Sequence, residues 1–432
     1  MKTLRQDLRA PRAVWVAGIL CVALCTVHMA GGMTYYLAPP PRGNDTHTGA
    51  NDAPWATFEK GLAALAPGDS LLLHDGRYHL TRPVYIGCRG TSNAWITIGA
   101  APGATAVLDG AAWMPARHQM GSALLFVHKA AFVRLHGLRV ANSRAAGIMI
   151  RGPEAEHIDV VACASDRSHC PGIGAWHARH VRVIGCEVTG ANLQELRPPD
   201  TPPRREAPHE AISIASVHHF EVASNHVHHC AKEGIDIKET SAHGRVHRNH
   251  VHHVHRQGLY VDAWFGLLED VTFDYNRSES NGFFGMAVSV EGKEARLHNV
   301  RIHDNELLHN GGSGLFFSIW GSNGPRAGID VRRNMIIGNG GKIPWAGPTG
   351  GIDIKSRNCR DVLIISNTCV DNAQFQIATF DDPADELHEL AAQNIVITGN
   401  RVHPWRDDTD HPSPYGRVYA LTGAQAITNG TR

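Results

Sequence analysis

Five carboxylates, a lysine and a tyrosine are concentrated between positions 210 and 262: Glu210, Glu233, Asp236, Lys238, Glu239, Tyr260 and Asp262. Carboxyl groups at that density can do two kinds of work. As a pair, one protonated and one ionised, they serve as acid and base or nucleophile in glycoside hydrolysis. As a cluster of hard oxygens they suit Ca²⁺. A lysine among them acts as a base only after losing its proton, which a bound cation and desolvation favour and neighbouring carboxylates oppose. The concentration makes Lys238, Asp236 and Asp262 the catalytic candidates. Glu210, Tyr260 and Arg256 are the candidate substrate contacts, with Trp264 and Trp320, whose indole faces can stack on a sugar ring.

Those residues meet only if the chain repeats, and it does. Seven segments alternate apolar residues and end in asparagine: FEVASN225, GRVHRN249, VTFDYN276, VRIHDN305, IDVRRN334, VLIISN367 and IVITGN400. Each is preceded by a second short strand of the form Gly-apolar-x-apolar, as at 147–150, 234–237, 258–261, 314–317 and 351–354. Alternation at period two buries one face of a strand and frees the other. A repeat of 24 residues with about three short strands is one coil of a parallel β-helix, whose coils stack ~4.8 Å apart. The expected fold is therefore all-β, a right-handed parallel β-helix over residues 70–403. The asparagines should form a buried ladder bonded to backbone above and below. Cys163 and Cys186 occupy the same slot in two earlier coils, close enough for a disulfide and equally consistent with free thiols.

Aligning Gly234 with Gly258 gives two outward columns on the second strand: Ser213, Asp236, Tyr260, Ala287, and two residues on, Ala215, Lys238, Asp262, Ser289. Lys238 then lies beside Asp262. Insertions at 192–209, 264–270, 291–298, 320–327, 341–350 and 381–393 flank this strand and should wall a groove. The competing reading is an ordinary polar sheet face, open to solvent, on which a Lys–Asp neighbour contributes a few tenths to about 1 kcal/mol. The concentration of charge argues for the site; no single residue does. The motif GIDIK recurs at 351–355, placing Asp353 and Lys355 four coils further on. His226, His228 and His229 recur as His250, His252 and His253, a ladder on the third strand that is expected to be surface and able in principle to hold a transition metal.

An open coil end exposes backbone, so a cap is needed. Trp55, Phe58, Leu62 and Leu65 share one helical face before the Pro67-Gly68 stop, which predicts a capping helix at 54–65 within a cap of residues 34–69. Residues 1–33 combine Lys2, Arg5, Arg9 and Arg12 with an uncharged, largely apolar run at 13–33. They are expected to be a signal peptide or membrane anchor, which would place the protein outside the cytoplasm. Residues 404–432 are expected to be a tail. Lys+Arg and Asp+Glu are equal at 41 each, so the charge balance argues against a nucleic-acid partner and leaves the membrane only the N-terminal segment.

The run Tyr35-Tyr36, Gly43-Asn44-Asp45, Ala53-Pro54-Trp55-Ala56-Thr57-Phe58, Pro67-Gly68-Asp69 and Asp75-Gly76-Arg77-Tyr78 resembles the N-terminal region of bacterial β-helix proteins of the pectate-lyase-like superfamily. With the coils, the likeness extends over residues 34–403. It implies a polysaccharide substrate and, by similarity to pectate lyases, Ca²⁺ held by Asp and Glu with Lys or Arg as base. The grouping of Glu233, Asp236, Glu239 and Asp262 with Lys238 resembles that arrangement, which makes these four acids the metal ligands the resemblance implies. The leading expectation is thus a polysaccharide lyase acting by β-elimination on a uronate. A glycoside hydrolase using a carboxyl pair, an epimerase and a non-catalytic carbohydrate-binding adhesin are the alternatives, because the fold serves all of them.

Overall fold

Strands of three to eight residues with alternating buried positions run in register through the chain and stack as three parallel sheets, the three faces of a right-handed parallel β-helix. The computed structural model describes residues 32–116, 121–197, 209–343, 347–380 and 392–403, with the strands Gly416–Tyr419 and Ala426–Thr428. The expected leader, apart from residues 32 and 33, lies outside the described residues, as do 198–208, 344–346 and 381–391 of the expected groove walls. Among the described residues no helix is long and apolar enough to cross a membrane.

The first sheet carries the strands that lead into the asparagines, such as His218–Ala223, Ala242–His247 and Leu267–Asp274. The second carries the glycine-led strands Ile212–Ala215, Ile235–Lys238, Leu259–Ala263 and Met286–Val290. The third carries short strands such as His226–His228 and His250–His252. Inward Ile, Val, Leu and Phe from all three sheets form one continuous core. Beyond residue 403, Gly416–Tyr419 and Ala426–Thr428 pair antiparallel with the last strands of the second and first sheets.

The ladder is as the spacing requires. The Asn305 amide donates to Asn334 Oδ1 at 2.9 Å and to the carbonyl of Phe273 at 2.9 Å, while its own Oδ1 accepts from Asn276. The residue before each ladder asparagine turns the chain in the left-handed region, with φ between 51° and 63° from Ser224 to Gly399. The Cys186 amide N–H donates to Asn225 Oδ1, so the cysteine does share the slot. Cys163 and Cys186 are nonetheless free thiols, pushed up to about 12 and further by burial. A second ladder, Asn281, Asn310, Asn339 and Asn372, runs five residues behind the first and ends on Gln376. It fixes the glycine of the second-sheet motif: a Cβ on Gly258 would fall 2.0 Å from Ser278 Oγ and 2.5 Å from Asn281 Nδ2. Asn305→Leu should lower stability by roughly 1–3 kcal/mol, since buried donors and acceptors on both neighbouring coils lose their partner. An unchanged melting temperature would contradict that role.

The expected N-terminal helix forms over Phe58–Ala64, with the Thr57 hydroxyl accepting from the Lys60 amide. It begins later than expected because residue 55 is committed to extended pairing: the Trp55 amide donates to the Tyr36 carbonyl. Phe58 is buried edge-on to Tyr78, and Leu62 and Leu65 rest against the core.

Candidate functional site

The second sheet aligns the expected columns. Ser213, Asp236 and Tyr260 are register partners, as are Ala215, Lys238 and Asp262. Glu210, Glu233 and Gln257 stack one coil apart just before the strands, since the Ala211 amide donates to the Glu233 carbonyl and the Gly234 amide to the Gln257 carbonyl. Around them lies a pocket of about 590 Å³, within the range of small-ligand sites. Of the residues expected from sequence, Glu210, Glu233, Lys238, Glu239, Arg256, Tyr260, Asp262, Trp264 and Trp320 line it. Asp236 does not. It is fully buried beneath the floor, so it cannot touch a substrate and acts through its neighbours.

At these positions the sheet face is not open to solvent. Asp262 is 2% exposed, Tyr260 5% and the Lys238 side chain 12%. Nor does Lys238 pair with Asp262 across the strands. Its ammonium turns the other way, 3.1 Å from Glu210 Oε1 and 3.6 Å from Asp236 Oδ2. Asp262 instead accepts from the Trp264 indole N–H at 2.6 Å through Oδ2, and its Oδ1 has no hydrogen-bond partner. The reason is positional: Glu210 lies just before its strand and reaches the lysine, whereas Asp262 is drawn towards the strand end by Trp264.

These contacts separate the acids. Burial works to raise Glu210, but the charges of Lys238, His209 and Lys232 and the Ser213 hydroxyl, which donates at 2.8 Å, hold it at about 2. Burial and the neighbouring Glu291 push Asp262 well above the carboxylate range. Burial and Glu210 do the same to Asp236. Glu239 is raised chiefly by burial. Burial would lower Lys238, yet its neighbouring acids, Glu210 foremost, hold it protonated, well above its ordinary value.

Several lining residues were not singled out from sequence. The Tyr260 hydroxyl donates to Glu291 Oε1, His209 packs edge-on against Trp176, and Lys232 and Phe283 complete the walls. Glu291 had a readable signal, because continuing the outward parity of Ala287 and Ser289 beyond the strand reaches it. Burial pushes His209 down to about 4, so it is neutral near pH 7. Trp264, 48% exposed, and Trp320, edge-on to Tyr260 at 6.1 Å, present aromatic surface to the pocket.

The four expected calcium ligands have the right donor chemistry but do not form a cage. Glu233 Oε1 accepts from Arg256 at 3.1 Å, Asp236 lies under the floor, and Asp262 Oδ2 is taken by Trp264. Among the described residues, three ligand atoms within 4.8 Å of one another occur only at the histidine ladder of the third sheet. The repeated motif at Asp353 occupies the Asp236 column four coils on, with Phe316, which stacks on Phe284 at 4.1 Å, among the residues between. Asp353 is buried and raised to about 7 by that burial.

No curated protein matches the sequence. Residues 35–187 match the family "Pel9A-like, right handed beta helix region". Among solved structures, pectate lyase Pel9A aligns with a TM-score of 0.51 at 16% identity, over 73% of this chain and 77% of its own. The Azotobacter vinelandii mannuronan C-5 epimerase AlgE4 A-module aligns at 0.51 and 12% identity, over 85% and 95%. The Streptococcus pneumoniae surface adhesin PfbA aligns at 0.50 and 10% identity, over 80% and 84%. At these identities the likeness is one of fold. Two overlapping matches to the family "Right handed beta helix region" together span residues 122–352, more than half of the chain, which therefore belongs to the right-handed β-helix family.

Proposed function

We propose that the protein is a carbohydrate-active enzyme that cleaves a polysaccharide by hydrolysis in the second-sheet pocket. Asp262 is the general acid and Glu210 the ionised carboxylate that stabilises positive charge developing on the sugar. The observation carrying this reading is the contrast between two carboxyls lining one aromatic-walled pocket. Glu210 is clamped by Lys238 at 3.1 Å and stays ionised. Asp262, buried and near Glu291, is pushed towards its protonated form and has Oδ1 unbonded. Two titratable groups whose surroundings drive them apart are what acid–base division of labour requires.

Elimination is the second reading. The Pel9A-like match favours it, but that match ends at residue 187, short of the first pocket residue, His209. Elimination by Lys238 would also need a neutral amine where the ionised Glu210, 3.1 Å away, holds an ammonium. A polymeric substrate met outside the cytoplasm accords with the leader expected at residues 1–33.

The test is incubation of the purified protein with a panel of neutral and uronate polysaccharides. The expected result is new reducing ends without an ultraviolet-absorbing unsaturated product. Unsaturated ends would establish elimination in its place, and saturable binding with no cleavage of any bound polymer would establish a lectin-like role.

A further inference from the structure

Four imidazoles face one another on the third sheet, away from the pocket. His226 pairs in register with His250, and His228 with His252. His226 Nε2 lies 2.8 Å from His252 Nε2, and His228 Nε2 lies 3.5 Å from Glu187 Oε1 on the preceding coil. Ligand atoms of His226, His250 and His252 all fall within 4.8 Å of one another, and so do those of Glu187, His226 and His228.

Their orientation is set from outside. The Nδ1 atoms of His228 and His252 are engaged by their neighbours His229 and His253, at 2.9 and 2.8 Å, which leaves both Nε2 atoms directed into the cluster. Outer hydrogen bonds of this kind fix the tautomer and ring angle of metal-binding histidines. His229 and His253 themselves stand at left-handed turns, φ 53° and 52°, and stack at 5.2 Å. His226 Nε2 and His252 Nε2 meet in the cluster, and His250, whose Nε2 lies 2.7 Å from Glu279 Oε1, carries the carboxylate contact that commonly orients a metal-bound imidazole.

We propose that His226, His250 and His252 bind a borderline divalent transition-metal ion of the Zn²⁺ type that clips adjacent coils together, with Glu187 and His228 at the same ring cluster. Imidazole donors select such ions over Ca²⁺ and Mg²⁺, which take oxygen. Zinc at ~2.0–2.1 Å from each nitrogen would set His226 and His252 nitrogens about 3.3 Å apart, a small opening of the present contact. The site is independent of the pocket chemistry above.

The experiment uses the full chain without an affinity tag, stripped with chelator and titrated with Zn²⁺ and, separately, Ca²⁺, with heat of binding and melting temperature as readouts. One Zn²⁺ per chain should bind saturably and raise the melting temperature, and Ca²⁺ should do neither at this site. His226→Ala/His252→Ala should weaken zinc binding at least tenfold and remove the thermal shift. His180→Ala/His219→Ala, which removes two rings stacked at 4.8 Å on the first sheet, should leave both intact. His250→Gln provides the same test should the double variant not fold. No saturable Zn²⁺ binding by the parent chain, or equal affinity in the two double variants, would overturn the proposal.

Discussion

Lys238→Met should lower the stability of the protein by about 3–5 kcal/mol, the cost of removing one partner from a buried ion pair. The ammonium stands 3.1 Å from Glu210 Oε1 and 3.6 Å from Asp236 Oδ2, and the carboxylates it serves are 5% and 0% exposed. Met fills the aliphatic space of Lys238 and leaves Glu210 ionised without a counter-charge. Adding Glu210→Gln removes that charge, so the double variant should recover much of the loss, and the non-additivity measures the coupling. The pH dependence has a definite sign. Glu210 is held at about 2, so its contribution is complete above its ordinary unfolded value of about 4.3 and is lost as pH falls towards 2. In Lys238→Met that contribution is gone, and the unfolding free energy should no longer fall through this acid window on Glu210's account. A loss below about 1 kcal/mol in chemical denaturation would mean that the pair is an ordinary surface contact.

How far the sequence foretold this site depends on which physical feature carries each part. Register was legible because period-two alternation and the glycine spacing fix which residues stack: Lys238 does lie beside Asp262 and Asp236 beside Tyr260. The asparagine ladder was legible because one residue type recurs at one slot. The second ladder had its own signal, an asparagine five residues after the first in four coils, and only the longer repeat was read. Side-chain direction was not legible. Register gives Cα neighbours, but Lys238 has four rotatable carbons and chose Glu210, which belongs to the preceding coil's strand entry. Burial was not legible either, since an outward position is solvent-exposed only if no wall rises over it. Trp264, Trp320 and Glu291 come from the insertions, and their folding over the sheet turns a polar face into a pocket. Asp236 shows the consequence: a residue chosen for its outward parity is sealed under the floor and positions the lysine.

Asp262→Asn should reduce turnover on a cleaved polysaccharide by on the order of 10²–10⁴, the contribution typical of a positioned general acid, without lowering stability near neutral pH. An amide reproduces the shape of a protonated carboxyl and keeps an oxygen to accept the Trp264 indole N–H, so the substitution removes little but the transferable proton. Stability supplies a second readout of opposite sign to that of Glu210. Asp262 is raised by burial and by Glu291, so the folded chain holds a proton that the unfolded chain releases at about 3.9. That stabilisation is full below the unfolded value and is lost as pH rises towards the folded one. The parent chain should therefore lose unfolding free energy on Asp262's account across that window, and Asp262→Asn should abolish the slope. Trp264→Phe, which withdraws the hydrogen bond from Oδ2, should raise the acid's pKa further and move the alkaline limb of the rate profile upward. Full activity in Asp262→Asn, with its stability slope unchanged, would remove this carboxyl from the chemistry and leave Glu239 and Glu291, also raised and also in the pocket wall, as the acids to substitute next.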